Sequence, residues 1–187
     1  MTDPEMREIR DSKVLAAMSH PLRRRLMDVL EVYGPSTASV LAQRTDQAVG
    51  NISHHLKVLA ASELVEEVPE LARDRREHWW RRAYSGLRWS AKNFKDDPVA
   101  DAAESLNFER QANLVRGWMA TRESYGDTWE GVSFANDTWA HLSPAELHEL
   151  AEETIALFNR WSKRDVPDDG QQRETVFLFA HGFPAKP

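Results

Sequence analysis

A short amphipathic helix followed at once by a strand constrains the fold of this chain more than any other feature. Residues 49–67 have the sequence VGNISHHLKVLAASELVEE. At 100° per residue, Ile52, Leu56 and Leu59 share one side of such a helix, and His55 lies beside them. Small, polar or basic residues fill the other side, namely Gly50, Asn51, Ser53, His54 and Lys57. The pattern predicts a helix with one buried face and one face free of acidic residues.

Three more helices are predicted in front of this one. The segment DSKVLAAMSHPLRRRLMDVLEVYG indicates two helices broken at Pro21, because proline is tolerated in the first turn of a helix. The apolar stripe of the second helix extends to Tyr33. Its arginine triplet is expected to place Arg23 and Arg24 toward solvent and Arg25 toward the core. STASVLAQRT predicts a short third helix, and the fourth is expected from about residue 48 to residue 61.

A hairpin is predicted directly after the fourth helix. LVEEVPE and EHWWRRAY are two short extended runs, and LARDRR between them gives the connecting loop a basic tip. Pro69 marks the end of a strand or an edge of the sheet, because proline cannot donate to a strand ladder. Four helices followed by a hairpin predict a winged helix-turn-helix domain.

The charge is divided unevenly along the chain. Residues 1–95 contain 16 Lys and Arg against 13 Asp and Glu, whereas residues 96–187 contain 8 against 17. Residues 71–95 alone contain 8 basic and 2 acidic residues. Because salt screens charges over about 8–10 Å, this local excess can bind phosphate although the whole chain has a formal charge of −6. The change of composition near NFKDDPVAD predicts a boundary between domains of residues 1–95 and 96–187.

The acidic half is predicted to be helical with a few strands. A long amphipathic helix is expected over roughly residues 99–125, followed by the irregular GDTWEGVSFAND and a strand in DTWAHL. Ser143, Pro144 and Glu146 form a capping box with a first-turn proline and predict another long helix. ETVFLFAHGF predicts a last strand. The predicted fold class is therefore mainly α with a small β component (α+β), a winged helix-turn-helix domain followed by a helical C-terminal domain.

Three segments together resemble the ArsR-type winged helix-turn-helix repressors of bacteria: HPLRRRLMDVL, SVLAQRTDQAVGNISHHLKVLAASELVEE and the basic wing ending in HWWRRAY. The resemblance covers residues 12–90, and ISHHLKVL followed by LVEE is its most specific part. It implies a homodimer that binds a two-fold operator in double-stranded DNA, with the fourth helix in the major groove. By the same resemblance, Gly50, Asn51, Ser53 and His54 lie near bases, and Arg73, Arg75 and Arg76 form the wing tip.

The residues themselves favour the same interpretation of the fourth helix. The side-chain amide of Asn51 can pair bidentately with adenine. Ser53, His54 and Lys57 can reach base edges or phosphates. The ordinary alternative for such a surface is a solvated helix face that binds nothing.

Two departures from the ArsR-type pattern bear on function. Members that sense thiophilic metals carry Cys-x-Cys in the third helix, whereas this chain has Thr37 and Ser39 there and contains no cysteine. The seven histidines form no compact ligand motif, so neither a metal nor another cofactor is expected. The hydroxyl residue that usually caps the recognition helix is replaced by Ala48, so Asp46 is expected to cap that helix instead.

Residues 96–187 extend well beyond the single dimerisation helix of small ArsR-type proteins, so they are expected to dimerise and to sense an effector. The candidate dimerisation residues form an apolar stripe on the long helix, namely Leu106, Leu114, Val115 and Trp118. Most aromatic side chains of this half are explained by a core. A subset is a candidate cleft for a small apolar or aromatic effector: Trp118, Tyr125, Trp129, Phe134 and Trp139.

Other classes of protein are disfavoured. The N-terminus is polar, and no apolar run approaches the roughly 20 residues that span a bilayer, so a cytoplasmic protein is expected, with no membrane partner. No catalytic motif is present, so an enzyme is not expected. Two hypotheses remain. One is a DNA-binding transcriptional regulator, and the other is a winged-helix interaction module whose basic wing binds an acidic protein.

Overall fold

The computed structural model describes residues 6–89 and 91–187, without the side chains of residues 6, 91 and 92. The described chain contains seven α-helices: α1 Ser12–Met18, α2 Pro21–Tyr33, α3 Ala38–Thr45, α4 Val49–Ala61, α5 Pro98–Thr121, α6 Asp127–Val132 and α7 Pro144–Ser162. Its strands are β1 Met6–Glu8, β2 Ser36–Thr37, β3 Val65–Glu67, β4 Trp79–Arg82 and β5 Gly86–Arg88. Contacts between Cα atoms divide the chain into a first unit, Met1–Leu114, and a second unit, Val115–Pro187.

The predicted break between α1 and α2 at Pro21 is confirmed, and side chains on either side of it cap the two helices. Asp11 caps α1, because its Oδ1 accepts a hydrogen bond from the backbone N–H of Lys13 at 2.8 Å. His20 caps α2, because its Nδ1 accepts from the backbone N–H of Leu22 at 3.2 Å. Pro21 then occupies the first turn of α2, where a missing N–H leaves no hydrogen bond unmade.

The helix-turn-helix is formed by α3 and α4. Thr37 caps α3 through Oγ1, which accepts from the backbone N–H of Val40 at 3.3 Å. At the other end of α3, Asp46 adopts left-handed backbone angles, with φ 55° and ψ 51°. Aspartate is one of the residues that tolerate this conformation, and it lets the chain reverse toward α4 within a few residues.

The predicted hairpin is confirmed, and a third strand joins it. β3 and β4 are antiparallel, with Val65 opposite Arg82 and Glu67 opposite Trp80. β2 pairs with the other edge of β4, which gives the strand order β2-β4-β3. The connection between β3 and β4 contains a 3-10 helix, Pro69–Leu71, and forms the wing. The first unit is therefore a winged helix-turn-helix.

A second small sheet lies partly in the polar N-terminal segment, where no strand is predicted from the sequence. β1 and β5 are parallel, with Met6 opposite Gly86 and Glu8 opposite Arg88. Both strands have only three residues, which is too short for an alternating apolar pattern to be recognised. Their pairing ties the start of the described chain to the strand that follows the wing.

The core of the first unit gathers side chains from α1 to α5. Its fully buried apolar residues are Ile9, Leu15, Leu26, Leu41, Ile52, Leu56, Leu59 and Leu64. Ala100 and Ala103 of α5 belong to the same cluster. Arg110 of α5 also forms a bidentate ion pair with Asp28 of α2, with N–O distances of 2.7 and 2.8 Å. The beginning of α5 thus packs within the winged-helix unit, while the division after residue 95 remains a prediction about domains.

The second unit contains the end of α5, a 3-10 helix Arg122–Tyr125, α6 and α7. The capping box of α7 is confirmed. The backbone N–H of Glu146 donates to Ser143 Oγ at 3.3 Å, and the backbone N–H of Ser143 donates to Glu146 Oε2 at 2.7 Å. The structure describes every residue of this unit, and each of them is exposed or half-buried.

Three sequence-based expectations for the acidic half are wrong. The segment expected to be irregular contains α6. Residues 137–142 and 174–183, each predicted as a strand, have no strand partner in the described chain. Alternating apolar residues favour an extended chain, but a strand also needs a hydrogen-bonded neighbour, which the pattern does not supply. The predicted fold class, mainly α with a small β component, is confirmed, and all described strands lie in the first unit.

Candidate nucleic-acid interface

The outward face of α4 contains the residues that its sequence pattern predicts. Ile52, Leu56 and Leu59 are 0% exposed and fix the opposite face in the core. His55 is also buried, as the angular position predicts. The structure brings the five predicted base- or phosphate-proximal residues to one solvent-facing surface, where Ser53 is half-buried and the others are exposed: Gly50, Asn51, Ser53, His54 and Lys57. Their contact with DNA stays a prediction.

The N-terminus of α4 has no side-chain cap. Ala48 occupies the capping position and offers no acceptor to the first backbone N–H groups of the helix. The expectation that Asp46 caps α4 is wrong, because Asp46 ends α3 in the left-handed conformation and donates its N–H to Ala42. The first N–H groups of α4 therefore face solvent, and a helix N-terminus of this kind favours a phosphate.

Two side chains on the exposed face of α4 are already oriented by neighbours. Asn51 Nδ2 donates to Gln47 Oε1 at 3.1 Å, and Ser53 Oγ donates to the backbone carbonyl of Val49 at 2.9 Å. Gln47 is exposed and is a candidate interface residue that the sequence analysis missed. The sequence contained one indication of this contact: Gln47 lies four residues before Asn51, and side chains at positions i and i+4 are neighbours on a helix surface.

Neither the backbone conformation nor the packing of the fold requires a glycine at position 50. A Cβ added at Gly50 would meet no atom within 4 Å, and the residue has ordinary helical geometry. Glycine is about 0.5–1 kcal/mol less favourable than alanine inside a helix, so internal packing does not explain its presence. Because glycine has no side chain, a second molecule can approach the backbone of α4 closely at this position.

A cluster of histidines connects α4 to the start of α2. The rings of His20 and His55 lie 4.5 Å apart, and those of His54 and His55 lie 5.3 Å apart. Burial, followed by the nearby charge of Arg23, lowers the pKa of His20. Burial, followed by His20, Arg23 and His54, lowers the pKa of His55. The neutral forms are therefore favoured, which suits His20 because its Nδ1 must accept the capping hydrogen bond.

The wing tip is a structured turn that carries arginines outward. Asp74 Oδ1 accepts from the backbone N–H of Arg76 at 2.7 Å and of Glu77 at 3.2 Å. Glu77 Oε2 accepts from the backbone N–H of Arg73 at 2.8 Å and lies 3.9 Å from its Nε. Arg75 and Arg76 are exposed, and no ion pair involves either of them among the described residues. Their charges are thus available to an anionic partner.

The strand arginines behind the wing are already paired with acids. Arg81 Nε lies 2.7 Å from Glu66 Oε1, and Arg82 Nη1 lies 2.6 Å from Glu31 Oε2. The charges of these strand arginines are therefore neutralised within the chain, and the positive charge that can attract an anionic partner lies mainly at the wing tip. Arg81 can therefore serve as a control for the wing-tip arginines in binding experiments, because it lies close to the wing but is already paired with Glu66.

The structure changes the assignment of all three arginines in α2. Arg23 donates to the last carbonyls of α1, through Nε to Ala17 and through Nη2 to Ala16 at 3.0 Å. The Nε atom of Arg24 is buried, not solvated as expected. Arg25, expected toward the core, is exposed.

Another basic position, missed by the sequence analysis, lies where α2 and α3 meet. The guanidinium of Arg44 stacks on the ring of Tyr33, 3.7 Å from its centre, and Tyr33 is 55% exposed. The expectation that Tyr33 continues a buried stripe is therefore wrong. Arg25 Nη2 approaches the backbone carbonyl of Arg44 at 3.5 Å. Arg25 and Arg44 thus add positive charge to the exposed surface of the helix-turn-helix.

The predicted dimerisation residues belong to different units. Leu106 is half-buried in the first unit, where Leu114 is 42% exposed. Val115 and Trp118 are half-buried in the second unit. Their role in dimerisation stays a prediction.

The predicted effector residues are brought together only in part. The rings of Trp118 and Tyr125 lie 5.5 Å apart, and Trp129 is half-buried. Phe134 and Trp139 are 74% and 67% exposed, so they are largely in solvent in the single chain. An effector cleft at these residues stays a prediction.

Two further properties concern the described residues only. Histidines and carboxylates nowhere gather there in a group of three or more that could hold a metal ion. The helices found in this part of the chain are too short or too polar to cross a membrane.

A comparison with protein families agrees with the helix-turn-helix of the first unit. A family model described as a helix-turn-helix domain matches residues 18–68, which run from the end of α1 to the residue after β3. The chain therefore contains a helix-turn-helix domain, and with the exposed α4 face and wing this supports a DNA-binding transcriptional regulator. No curated protein matches the sequence.

Several solved structures are similar to parts of this chain. A fragment described as a possible transcriptional regulatory protein from Mycobacterium bovis is 19% identical, with 54% of this chain and 87% of the fragment covered and a TM-score of 0.35. RV1404 from Mycobacterium tuberculosis is 15% identical over 84% of each chain, with a TM-score of 0.33. The transcriptional regulator Tm0710 from Thermotoga maritima is 17% identical over 78% of this chain and 80% of its own, with a TM-score of 0.32.

Proposed function

We propose that this protein is a sequence-specific transcriptional repressor that binds a two-fold DNA operator as a homodimer. The observation that carries the proposal is the combination of an acid-free, solvent-facing α4 face with Arg75 and Arg76 of the wing tip, which form no ion pair among the described residues. Direct readout needs donors and acceptors that reach base edges, and affinity needs positive charge near the phosphates. The first unit offers both on exposed surfaces, and the ArsR-type resemblance of residues 12–90 agrees with this role.

Each predicted contact has a distinct task in the proposal. Asn51, held by Gln47, reads a base, with Ser53 and His54 beside it. Lys57, the wing arginines Arg73, Arg75 and Arg76, and the first N–H groups of α4 bind phosphates. Gly50 allows the backbone of α4 to approach the DNA. Since the proposed partner is an operator, we place the protein in the bacterial cytoplasm.

We further propose that the C-terminal half makes the dimer, because one winged helix reads only one half-site. Two half-sites must lie about 34–36 Å apart on one face of the DNA. Leu114 and the neighbouring Val115 and Trp118 provide apolar surface on α5, and Leu106 extends the stripe. The net negative charge of residues 96–187 keeps that half away from phosphates. Release by a small apolar or aromatic effector at the Trp118 and Tyr125 pair is the regulatory part of the proposal.

A salt series on DNA binding tests the proposal. The full chain is titrated, by fluorescence anisotropy, into labelled DNA from upstream of its own gene and into random DNA of equal length. Binding should weaken steeply with salt on both, and the upstream DNA should bind more tightly. The double variant Arg75→Ala and Arg76→Ala should flatten the slope of log K against log salt by about 1–2 units. Each phosphate contact that is lost reduces the number of counterions released from the DNA on binding by about one.

Arg81→Ala is the matched control, because it also removes a wing arginine but one that is paired with Glu66. Its salt slope should stay close to that of the original chain. Equal slopes for all three proteins would show that the wing tip is not near phosphate. Absence of salt-sensitive DNA binding would instead favour the interaction module that binds an acidic protein.

A further inference from the structure

One side of α7 carries an apolar stripe that the single chain leaves largely in solvent. Its members lie alternately three and four residues apart, and we call them the α7 stripe: Leu147, Leu150, Thr154, Leu157 and Trp161. This is the spacing by which two helices pack along a common seam in a coiled coil. Leu150, Leu157 and Trp161 are nevertheless 47%, 41% and 54% exposed. The stripe therefore has the pattern of a packed surface without the burial that such a pattern usually has.

The other two members of the α7 stripe show how much of it is open. The hydroxyl of Thr154 donates to the backbone carbonyl of Leu150 at 2.8 Å, so burial of Thr154 would leave no hydroxyl donor unpaired. A Cβ added at Gly182 would lie 3.1 Å from Leu147 Cδ1, so the chain's own C-terminal tail packs against the start of the stripe. The part from Leu150 onward is the part available to another molecule.

Charge is distributed along α7 in two blocks of opposite sign. Residues 144–153 contain four glutamates and no lysine or arginine, whereas residues 160–164 contain three basic residues and no acid. A neighbouring helix of the same sequence would meet like charges if it ran parallel to α7. An antiparallel neighbour would place its basic block against the acidic block of α7, and the reverse. The charges therefore favour a second copy of this helix in the antiparallel direction.

We propose that α7 packs antiparallel against α7 of a second copy of this chain, with the α7 stripe of each copy as the contact. A two-fold axis between residues 155 and 156 places Thr154 opposite Leu157 of the second copy and Leu150 opposite Trp161 of the second copy. The exposed apolar side chains of the stripe are then covered by one another. The inference rests on the proposed homodimer and deepens it, because it names a helix of the interface and its register.

One ion pair specifies this register. Glu153 and Arg160 are seven residues apart and both exposed, so they lie on the same flank of the α7 stripe. In the antiparallel pair, Glu153 of each copy lies beside Arg160 of the other, and the symmetry makes the contact twice. Within one chain the two residues are separated by about 10 Å along the helix axis, which is too far for an ion pair.

The α7 pair forms one part of a larger interface. A stable interface uses about 20–30 residues on each side, and the α7 stripe supplies five. Phe183, next to the glycine that contacts Leu147, is 72% exposed, and Phe179 is 43% exposed. These side chains of the C-terminal tail offer further apolar surface in the same unit. We therefore expect the tail and the α7 stripe to be covered together.

Sedimentation of the full chain over a concentration series tests the apolar contact. Leu157→Asp should weaken the dimer by at least about tenfold, because it places a carboxylate near the centre of the pair. Ala156→Asp is the matched control, since it adds the same charge one residue away, on the side of α7 that faces away from the stripe. Its dimer constant should equal that of the original chain. Circular dichroism of both variants checks that the helices remain folded.

Charge reversal tests the register. Glu153→Arg and Arg160→Glu should each weaken the dimer by about threefold to tenfold, because each places two like-charged pairs across the interface. The double variant should restore the dimer, and only a second copy can bring the two positions together. Glu149→Arg is the control, with the same change of charge at an exposed position away from the stripe. It should leave the dimer constant nearly unchanged.

The possible outcomes separate this inference from the proposed function. A monomeric original chain would overturn both the α7 pair and the proposed homodimer. A dimer that Leu114→Asp weakens but Leu157→Asp does not would overturn the α7 pair and leave the homodimer in place. Equal weakening by Ala156→Asp and Leu157→Asp, or no rescue by the double charge reversal, would also overturn the antiparallel α7 contact.

Discussion

The first unit buries a continuous core, whereas the second unit, Val115–Pro187, buries no side chain completely. In the first unit, eight apolar side chains are at most 1% exposed, and Arg110 pairs with Asp28 at the edge of the core. In the second unit, Phe134 and Phe183 are each more than 70% exposed. The two units therefore differ in the main force that stabilises folded chains, the removal of apolar surface from water.

This difference teaches that a regular helix is not evidence of an independently stable domain. α7 has a complete capping box and 19 residues, yet Leu150, Leu157 and Trp161 on it are 41–54% exposed. Caps contribute about 1 kcal/mol, much less than a buried face does. We therefore expect the first unit to be stable in a single chain and the second to gain stability by association with another copy.

The largest expected effect comes from removing one core side chain. Leu56→Ala should lower the free energy of unfolding by about 2–5 kcal/mol, because Leu56 is 0% exposed. Leu157→Ala in α7, where Leu157 is 41% exposed, should cost less than about 1 kcal/mol at low protein concentration. Urea unfolding of both variants measures the contrast. Equal losses would remove the distinction between the two units.

The second prediction locates the end of the stable unit. A fragment of residues 1–114 should unfold cooperatively, and a fragment of residues 1–95 should be less stable by about 2–4 kcal/mol, because it lacks the buried Ala100 and Ala103 and the rest of α5. Thermal unfolding followed by circular dichroism compares the two. If both fragments have the same stability, the beginning of α5 does not contribute to the winged-helix core.

The third prediction concerns base reading by α4. Asn51→Ala should relax preference at one base position in each half-site, with a loss of about 1–3 kcal/mol on the operator and little on random DNA. Gln47→Ala should have a smaller effect in the same direction, since Gln47 only holds the Asn51 amide at 3.1 Å. Competition binding with single-base operator variants measures both. A uniform loss on every sequence would show that Asn51 touches only the backbone of DNA.

The fourth prediction tests association through the acidic half. Leu114→Asp should weaken the dimer by about tenfold or more, or about 1.4 kcal/mol, while it leaves the fold of the single chain intact because Leu114 is 42% exposed. Val166→Asp is the control, at a loop position that is 67% exposed. Sedimentation over a concentration series gives the dimer constant. A dimer that persists in Leu114→Asp, or in the fragment of residues 1–95, would place the interface elsewhere.

The smallest effect is a pH dependence within the first unit. Burial lowers the pKa of both His20 and His55 below 6.5 in the folded chain. The unfolded chain then binds more protons, so the free energy of unfolding should decrease as the pH falls from above 6.5 toward the lowered values. Urea unfolding between pH 7.5 and 5.5 measures this decrease. Carboxylates such as Glu146, whose pKa is lowered by hydrogen bonds with Ser143, titrate below that window.

His55→Gln should reduce the pH dependence, and the same change at the exposed His148 in the second unit serves as its control. An unchanged pH profile in His55→Gln would mean that the histidine cluster does not couple to folding. The groups that face His55, namely His20, Arg23 and His54, stay in place in that variant.

Local periodicity predicted most of the first unit because its helices bury one face each. The break at Pro21, the two faces of α4 and the hairpin follow from residue spacing alone. Residue spacing did not predict which arginines of α2 face solvent. Neighbouring helix positions differ by 100°, and the environment of each arginine also depends on residues that are distant in the sequence. Arg110, which pairs with Asp28 near the half-buried Arg24, lies 82 residues after Asp28 in the chain.

Prediction failed more often in the second unit for a related physical reason. The runs DTWAHL and ETVFLFAHGF alternate, but neither has a strand beside it in the described chain. In the first unit, Gln47 was missed although its spacing from Asn51 was visible, because a turn residue becomes informative only when the helix after it is seen to place Asn51 next to it. Sequence patterns describe which face is apolar, whereas the neighbour that covers the face is a property of the tertiary structure.

The uncapped start of α4 makes one region of the fold sensitive to what the protein binds. Its first amide groups are protected by neither a side chain nor an earlier turn. In the free protein these amides should exchange with deuterium quickly, while those of Leu56 and Leu59 exchange slowly with the global core. A phosphate of bound operator DNA would accept hydrogen bonds from these amides, as a capping side chain does in other helices. Deuterium exchange at Gly50 and Asn51 should then be slower. Amide exchange there would thus report, residue by residue, when the operator is occupied.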